Sequence, residues 1–236
     1  MSQEVGTITK GAALGQGLTA VALIAAMGTG LWLAGESVNS TGGPKPATCS
    51  HGLPEETAAP AEAGQVTGAQ LCAALHRPDL PELLGTPGEP AKNANGGEST
   101  SKPVGSGKEI HTPTASVEFE TYTVDLKVSY GQLTVATMAR LLGDGAPPRT
   151  VLGRPATLYS DRTMSFSFSM AGGGASTGIG VPTRGLVVAL DPQDGGGAYE
   201  LNVWRSDGGV PDDAVVLRVA EKVLPTVPGW SATAAG

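Results

Sequence analysis

The apolar positions of this sequence form one long uninterrupted run near the N-terminus and then a series of short periodic segments. Residues 11–35 contain no charged side chain. As a helix at about 1.5 Å per residue, this run is roughly 37 Å long, enough to cross a hydrocarbon core of about 30 Å. The pattern therefore predicts a transmembrane helix over residues 11–35, preceded by a cytoplasmic tip at residues 1–10.

A cleaved signal peptide is the alternative interpretation of this run. The segment before it carries Lys10 against Glu4, a weak basic region, and Val38-Asn39-Ser40 is a tolerable cleavage site. For an uncleaved helix, Lys10 keeps the N-terminus in the cytoplasm under the positive-inside rule. We therefore expect a single-pass signal anchor in the cell membrane with an extracytoplasmic C-terminal domain, or a secreted protein if the segment is cleaved.

Small residues recur every four positions along the predicted membrane helix and form a ridge. The ridge consists of Ala22, Ala26, Gly30 and Ala34. Small side chains let two helix backbones approach closely in a membrane. The ridge indicates a homodimer through the transmembrane helix, although the general richness of the chain in Ala and Gly is an alternative explanation for it.

Helical periodicity resumes only after a tether that is rich in Pro, Gly, Thr and Ala. This tether covers residues 36–65 and has no hydrophobic period. Thr67 and Gln70 then form a capping box that predicts a helix start, and Leu80 to Leu84 predicts a second short helix that ends at Gly85. Residues 89–113 are again polar, which predicts a disordered insert.

Strand alternation dominates the middle of the chain. Residues 116–130 predict one long strand with a bulge or a twist near Thr121, where the alternation changes phase, and residues 155–170 predict a hairpin turning at 160–162. The second half of this hairpin alternates without a break, with serines between its apolar residues. The predicted core positions of that strand are Met164, Phe166, Phe168 and Met170. A glycine-rich loop at 171–183 and strands at 185–190 and 199–204 follow.

Two further helices complete the prediction. Residues 132–142 carry one apolar face, and a terminal helix beginning at Pro211 carries a stripe of short aliphatic residues. We expect this stripe to cover the face of Met164 and Phe168, with helix 132–142 as the alternative cover. Together the patterns predict an α+β domain over residues 66–230, with about five mostly antiparallel strands and about three helices, and a tail at 231–236.

Composition and cysteines narrow the functional classes. The net charge is −7, without a basic cluster, which argues against nucleic acid as a partner. Cys49 and Cys72 are the two cysteines, and on the exported side of a membrane they predict a disulfide, with two unrelated thiols as the alternative. The three histidines are scattered without ligand spacing, so we expect no metal and no cofactor.

No set of residues with catalytic spacing stands out. Gly105-Ser106-Gly107-Lys108 lacks the glycine and hydroxyl positions of a phosphate-binding loop. Nucleophilic catalysis needs a histidine base near Ser or Cys, and we expect only His76 to lie beside the folded domain, because His51 falls in the tether and His111 at the end of the insert. We expect no catalytic residues and no enzyme activity; the alternative is an envelope-polymer hydrolase or transferase that uses His76.

The segment that follows the tether is similar in sequence to a known protein family. Residues 71–85 read LCAALHRPDLPELLG, and they lie between a short N-terminal anchor and a terminal helix that is followed by Trp230. This arrangement resembles a family of uncharacterised actinobacterial, streptomycete-type, membrane-anchored proteins of unknown function. The resemblance implies no catalytic residues. We expect a membrane-tethered binding or accessory module of the cell envelope, whose partner is an envelope protein or a cell-wall polymer.

Overall fold

The computed structural model describes residues 47–51, 65–101, 110–142, 146–169 and 174–230. For residues 51, 101, 166–169 and 174–175 it describes the backbone alone. The described residues belong to one compact unit. The predicted transmembrane helix, its ridge of small residues and most of the predicted tether lie outside the described residues, and none of the described helices is long and apolar enough to span a membrane.

The described residues form eight strands and four α-helices. The strands are β1 (Ser50–His51), β2 (Asn93–Ser101), β3 (Ile110–Glu118), β4 (Tyr122–Ser129), β5 (Pro148–Val151), β6 (Arg154–Ser169), β7 (Gly174–Ala189) and β8 (Ala198–Arg205). The helices are α1 (Gly68–Leu75), α2 (Leu80–Leu84), α3 (Val135–Leu142) and α4 (Asp213–Val223), and a 3₁₀ turn (Leu224–Thr226) follows α4.

All the described strands belong to one sheet, in the order β1-β2-β3-β4-β8-β7-β6-β5. The two-residue β1 pairs parallel to β2, and every other neighbouring pair is antiparallel. This confirms an α+β fold with a mostly antiparallel sheet, but it has more strands than the five predicted. The change of phase at Thr121 is a reversal of the chain between β3 and β4, closed by a hydrogen bond from Phe119 N to Tyr122 O of 2.8 Å, and not a bulge.

Three helices cover one face of the sheet and enclose the main core. The capping box predicted at Thr67 is present: the backbone N–H of Gln70 donates to Thr67 Oγ1 over 3.2 Å, and the backbone N–H of Thr67 donates to Gln70 Oε1 over 2.9 Å. Gly85 ends α2 with a left-handed backbone, φ 86°. The aliphatic stripe of α4 is buried as predicted. Core side chains with at most 1% exposure include Leu71, Leu75, Leu80, Val117, Val124, Leu126, Leu186, Leu201, Val203, Val216 and Val219.

The opposite face of the sheet is covered in part by α3. Val135 and Met138 of this helix pack with Val187, Ala189 and Ala198 of the sheet in a second, smaller core. The α3 helix begins where Asp194, in the turn between β7 and β8, accepts hydrogen bonds from the backbone N–H groups of Val135 (2.7 Å) and Ala136 (3.1 Å). A carboxylate at this position satisfies donors that the first helical turn leaves free.

Strand β2 lies where the sequence predicts a disordered insert. Its residues are small and polar, and Ala94 and Gly96 alternate as the buried positions. Gly96 is required here because α1 approaches the strand backbone directly: a Cβ on Gly96 would lie 2.3 Å from Gly68 O. The β2 strand therefore gains its stability from this close backbone contact and from pairing with β3, rather than from large apolar side chains.

The predicted disulfide between Cys49 and Cys72 is present, with an S–S distance of 2.07 Å. It joins a residue within the predicted tether to α1. Directly after Cys49, residues 50–51 form β1 against β2, and Ser50 Oγ donates to Ala94 O over 3.2 Å. The chain around Cys49 is thus fixed to the domain at two points.

Strands β6 and β7 extend past the rest of the sheet as a two-stranded ribbon. The hairpin predicted around residues 160–162 is one continuous strand, and β7 already begins at Gly174, within the predicted loop. Met164, predicted as core, is 73% exposed because neither β5 nor β8 reaches this far along the ribbon. The side chains of Phe166 and Phe168, and the whole of Met170, lie outside the described residues. Helix α4 packs on the main core and not on this ribbon.

The segment after α4 folds back onto the core. The Arg154 guanidinium lies 3.6 Å from the centroid of the Trp230 ring, and Tyr199 packs against the same indole at 5.3 Å between centroids. Arg154 is fully buried and donates to the carbonyl oxygens of Ala189 and Leu190. A buried cation is tolerated here because carbonyl groups and an aromatic face replace its hydration.

Candidate functional site

Strand alternation places a group of polar side chains on the face of the sheet opposite the main core. Leu126 and Leu201 point into the core, so their chain neighbours point to the other side. Registers across β3, β4, β8, β7 and β6 bring these neighbours together. We refer to the resulting group as the polar cluster; it consists of Ser116, Asp125, Lys127, Tyr159, Glu200 and Asn202.

Glu200 is the centre of the polar cluster. Its Oε2 accepts from Lys127 Nζ over 2.6 Å, and its Oε1 accepts from Asn202 Nδ2 over 3.0 Å. Burial alone would raise the pKa of Glu200, but the hydrogen bond and charge of Lys127, with help from Asn202 and Tyr159, lower it below its ordinary value. Glu200 is therefore an ionised acceptor at neutral pH.

Tyr159 closes one side of the cluster and is 7% exposed. Its hydroxyl lies 2.9 Å from Glu200 Oε1 and 3.0 Å from Asn202 Oδ1 and donates to these acceptors. Burial, and next the negative charge of Glu200, raise the pKa of Tyr159 well above its ordinary value. Its ring lies over Gly185, where a Cβ would be 2.2 Å from Tyr159 Cζ, so glycine at this position of β7 makes room for the aromatic ring.

Asp125 carries the polar group of the cluster that is least satisfied. Ser116 is hydrogen-bonded to its carboxyl group, whereas Oδ1 is buried and has no hydrogen-bond partner among the described residues. Burial raises the pKa of Asp125, against the smaller opposing effects of Ser116 and Lys127. A buried acceptor without a donor costs about 1–3 kcal/mol.

A second polar group joins β2, β3 and the start of α1. His111 Nε2 lies 3.1 Å from Glu98 Oε2, and Glu98 Oε1 accepts from the Gly68 N–H over 3.2 Å. His111 is 8% exposed and lies within β3. It does not lie at the end of a disordered insert, as the sequence predicts. Within the described part of the chain, Glu98 is the hydrogen-bond partner of this ring, so the pair supports the helix N-terminus and has no nucleophile beside it.

The predicted alternative base, His76, is the residue that ends α1. Its ring makes no hydrogen bond within the described ranges, and no hydroxyl or thiol is held against it there. A surface groove of about 350 Å³ lies nearby, between α1 and the chain after α4, and is lined by Gln70, Ala73, Ala74, Arg77, Thr226 and Pro228. The Arg77 guanidinium in this groove is held by Asp79 and by Lys222 O. Among the residues that the structure describes, His76 thus has no catalytic partner.

The His, Cys, Asp and Glu side chains of the described residues do not form a metal site. In the described ranges, no three side chains of the His, Cys, Asp and Glu types come together as a metal site would require. The Gly105-Ser106-Gly107-Lys108 segment lies outside those ranges.

The polar cluster was not identified from the sequence, although a signal for it exists. Asp125 and Lys127 lie between the apolar residues of β4, and Glu200 and Asn202 lie between those of β8. The alternation shows that each pair leaves the core, but only the register shows that both pairs face each other and Tyr159.

Comparison with protein families gives one match. A model for a family of unknown function, DUF6215, matches residues 9–145, more than half of the chain. The chain belongs to this family. The match confirms the expected resemblance to uncharacterised proteins of unknown function, and within the DUF6215 family the matched region runs from the N-terminal apolar segment to the loop after α3. Neither the curated proteins nor the solved structures contain a match to the chain.

Proposed function

We propose that this DUF6215 protein is a membrane-anchored, extracytoplasmic binding module of an actinobacterial cell envelope, and that it acts without catalysis. The observation that carries the proposal is the polar cluster: a preassembled set of hydrogen-bonding groups on a sheet face, with no nucleophile and base held together in the described residues.

The anchor is supported by the sequence and by the family match. Residues 11–35 are uncharged, and the region matched by the family model begins at residue 9, so the apolar segment is part of the family pattern. The disulfide between Cys49 and Cys72 suits an oxidising compartment on the far side of the membrane. In the membrane, the ridge of small residues is proposed to bring two transmembrane helices together.

The partner that fits the polar cluster best is a hydroxyl- and amide-rich polymer of the cell wall. Such a polymer offers donors and acceptors together, and the cluster offers both: the carboxylate of Glu200, which is 26% exposed, and the ammonium of Lys127, which is 39% exposed. Trp204, half-buried on the same face two residues after Asn202, adds an aromatic surface. The charges of Lys127 and Glu200 balance each other, which favours a neutral polar ligand over a highly charged one.

Binding to the polymer can be tested directly. Insoluble cell-wall material is incubated with the purified protein and sedimented, and the bound fraction is compared among variants. Glu200→Gln removes the acceptor charge that orders the cluster, and we expect the affinity to fall about tenfold, or ~1.4 kcal/mol. Glu221→Gln, on the exposed side of α4, is the matched control and is expected to bind like the unmodified protein.

Two results would contradict this assignment. In the first, both Glu→Gln variants are folded by circular dichroism and bind the cell-wall material with the affinity of the unmodified protein. The polar cluster would then not be the binding site. Loss of activity on an envelope polymer in His76→Ala would show instead that the protein is an enzyme.

Localisation has its own test. The full-length protein is expected to stay in the membrane fraction after carbonate extraction, and protease added outside the cell is expected to remove the domain. Recovery of the protein in the medium would favour cleavage after Ser40 over an anchor.

A further inference from the structure

Beyond Arg162, the ribbon formed by β6 and β7 is flanked by no other described strand. β8 pairs with β7 over residues 183–189, and β5 pairs with β6 over residues 154–157, so neither flanks the ribbon beyond Arg162. The remaining seven residues of β6, at about 3.3 Å per residue, extend roughly 23 Å. A bulge at Thr163, against Gly180, marks its base.

The ribbon carries no charge. From Thr163 to Thr183 there is no Asp, Glu, Lys or Arg, although the whole chain has a net charge of −7. Near its base, Met164 and Ile179 are 73% and 78% exposed. Charged side chains are the common protection of an exposed strand against pairing with another chain, and this stretch lacks them.

The outer edge of β6 is also unpaired. After Thr157, which pairs with β5, no described strand bonds to β6 on that side, so the backbone groups of residues 158–169 that point away from β7 are available. A lipid bilayer cannot satisfy these groups, because open sheet edges do not occur in the hydrocarbon region. A further β-strand satisfies these groups with backbone hydrogen bonds. The partner that fits this edge is therefore another strand.

We propose that the β6 edge is a self-association surface, and that it pairs antiparallel with β6 of a second copy across a two-fold axis. An edge that meets its own copy is self-complementary, as a two-fold dimer requires. The charge-free ribbon is also the place where two chains of net charge −7 can meet without bringing like charges together. This inference is independent of the ligand of the polar cluster and of the ridge in the predicted membrane helix.

Cysteine crosslinking of the full-length protein in mild detergent tests the pairing. Ser165→Cys and Ser167→Cys place a thiol on β6, Thr177→Cys places one on β7, and Ser206→Cys places an exposed one in the turn after β8. Under mild oxidation, we expect a disulfide-linked dimer for at least one β6 variant, at five times or more the yield of the Ser206→Cys control. Mass spectrometry of the linked peptides excludes exchange with Cys49 and Cys72.

A second variant separates this contact from association through the membrane helix. Adding Gly30→Leu to the β6 cysteine variants blocks close helix approach and should leave the β6 crosslink in place. Adding Met164→Lys should reduce it at least fivefold, because two positive charges then meet at the paired edges.

Three outcomes would overturn the proposal. The first is a crosslink yield for both β6 variants no higher than that of Ser206→Cys. The second is crosslinking only through Thr177→Cys, which would assign the contact to β7. The third is a monomeric protein whose β6 thiols are shielded by phosphatidylcholine vesicles, which would mean that the ribbon contacts lipid.

Discussion

Gly185 illustrates how a single residue can be dictated by a neighbour that is distant in the sequence. The ring of Tyr159 lies over its Cα, and this placement lets the Tyr159 hydroxyl reach Glu200 and Asn202. The Thr67 capping box and the cysteine pair could be predicted because the relevant residue types are recognisable in the sequence. The contact between Tyr159 and Gly185 could not, because it depends on the register of β6 against β7.

Gly185→Ala is expected to destabilise the domain by about 1–3 kcal/mol, because the new methyl group must displace a buried, rigid ring. Urea unfolding measures the change. Gly97→Ala is the matched control, since its Cβ would meet only Thr114 Oγ1 at 3.4 Å, and its stability should be nearly unaltered. Equal stability of both variants would show that the Tyr159 ring can move aside.

Asp125→Asn is expected to stabilise the protein at neutral pH. Burial raises the pKa of Asp125 in the folded state, so stability falls as the pH rises from the unfolded-state pKa to this raised value, and the loss is complete above it. Below the ordinary Asp pKa of about 3.9, the carboxyl group is protonated in both states and the gain disappears. Unfolding curves for both proteins from pH 3 to pH 8 measure this. A gain for Asp125→Asn that stays constant over this pH range would contradict the burial argument.

At the scale of elements, the predictions were good where side-chain periodicity determines the structure and poor where backbone contacts do. Helices α1, α2 and α4 were predicted close to their bounds because their apolar residues recur at helical spacing. Strand β2 was missed because glycine and polar residues allow α1 to approach its backbone, which is not visible in a hydrophobic pattern. The regular alternation of apolar and polar residues around Met164 predicts a core strand. The same alternation also occurs in a two-stranded ribbon that extends past the rest of the sheet.

Helix α3 depends on a cap from outside its own segment. Asp194→Ala should cost about 1 kcal/mol and fray the first turn of α3, because the N–H groups of Val135 and Ala136 lose their acceptor. Hydrogen exchange should increase in α3 and remain unchanged in α1. Asp194→Asn keeps an acceptor oxygen and tolerates the left-handed backbone at this position, φ 56°, so it should exchange nearly as slowly as the unmodified protein. Uniform acceleration in both helices would contradict a local role.

At the scale of the whole molecule, the disulfide links Cys49, directly before β1, to Cys72 in α1. Cys49 and Cys72 are 23 positions apart, and closing such a loop stabilises a protein by about 3 kcal/mol on the chain-entropy model. The double variant Cys49→Ser, Cys72→Ser should lose about this amount in urea unfolding but remain folded, because the main core does not depend on β1. Hydrogen exchange should show β1 released from β2. A double variant as stable as the native protein would mean that the loop contributes nothing.

The position of this bond also determines how the domain bears mechanical load. A pull on the chain from the N-terminal side of Cys49 reaches the covalent bond before it reaches the hydrogen bonds of β1. The force passes into α1, whose backbone rests on Gly96 and Gly97 of β2, and is distributed over the helix and the sheet together. In an oxidising environment β1 is thus shielded from peeling, whereas under reducing conditions the same pull separates the two-residue strand first.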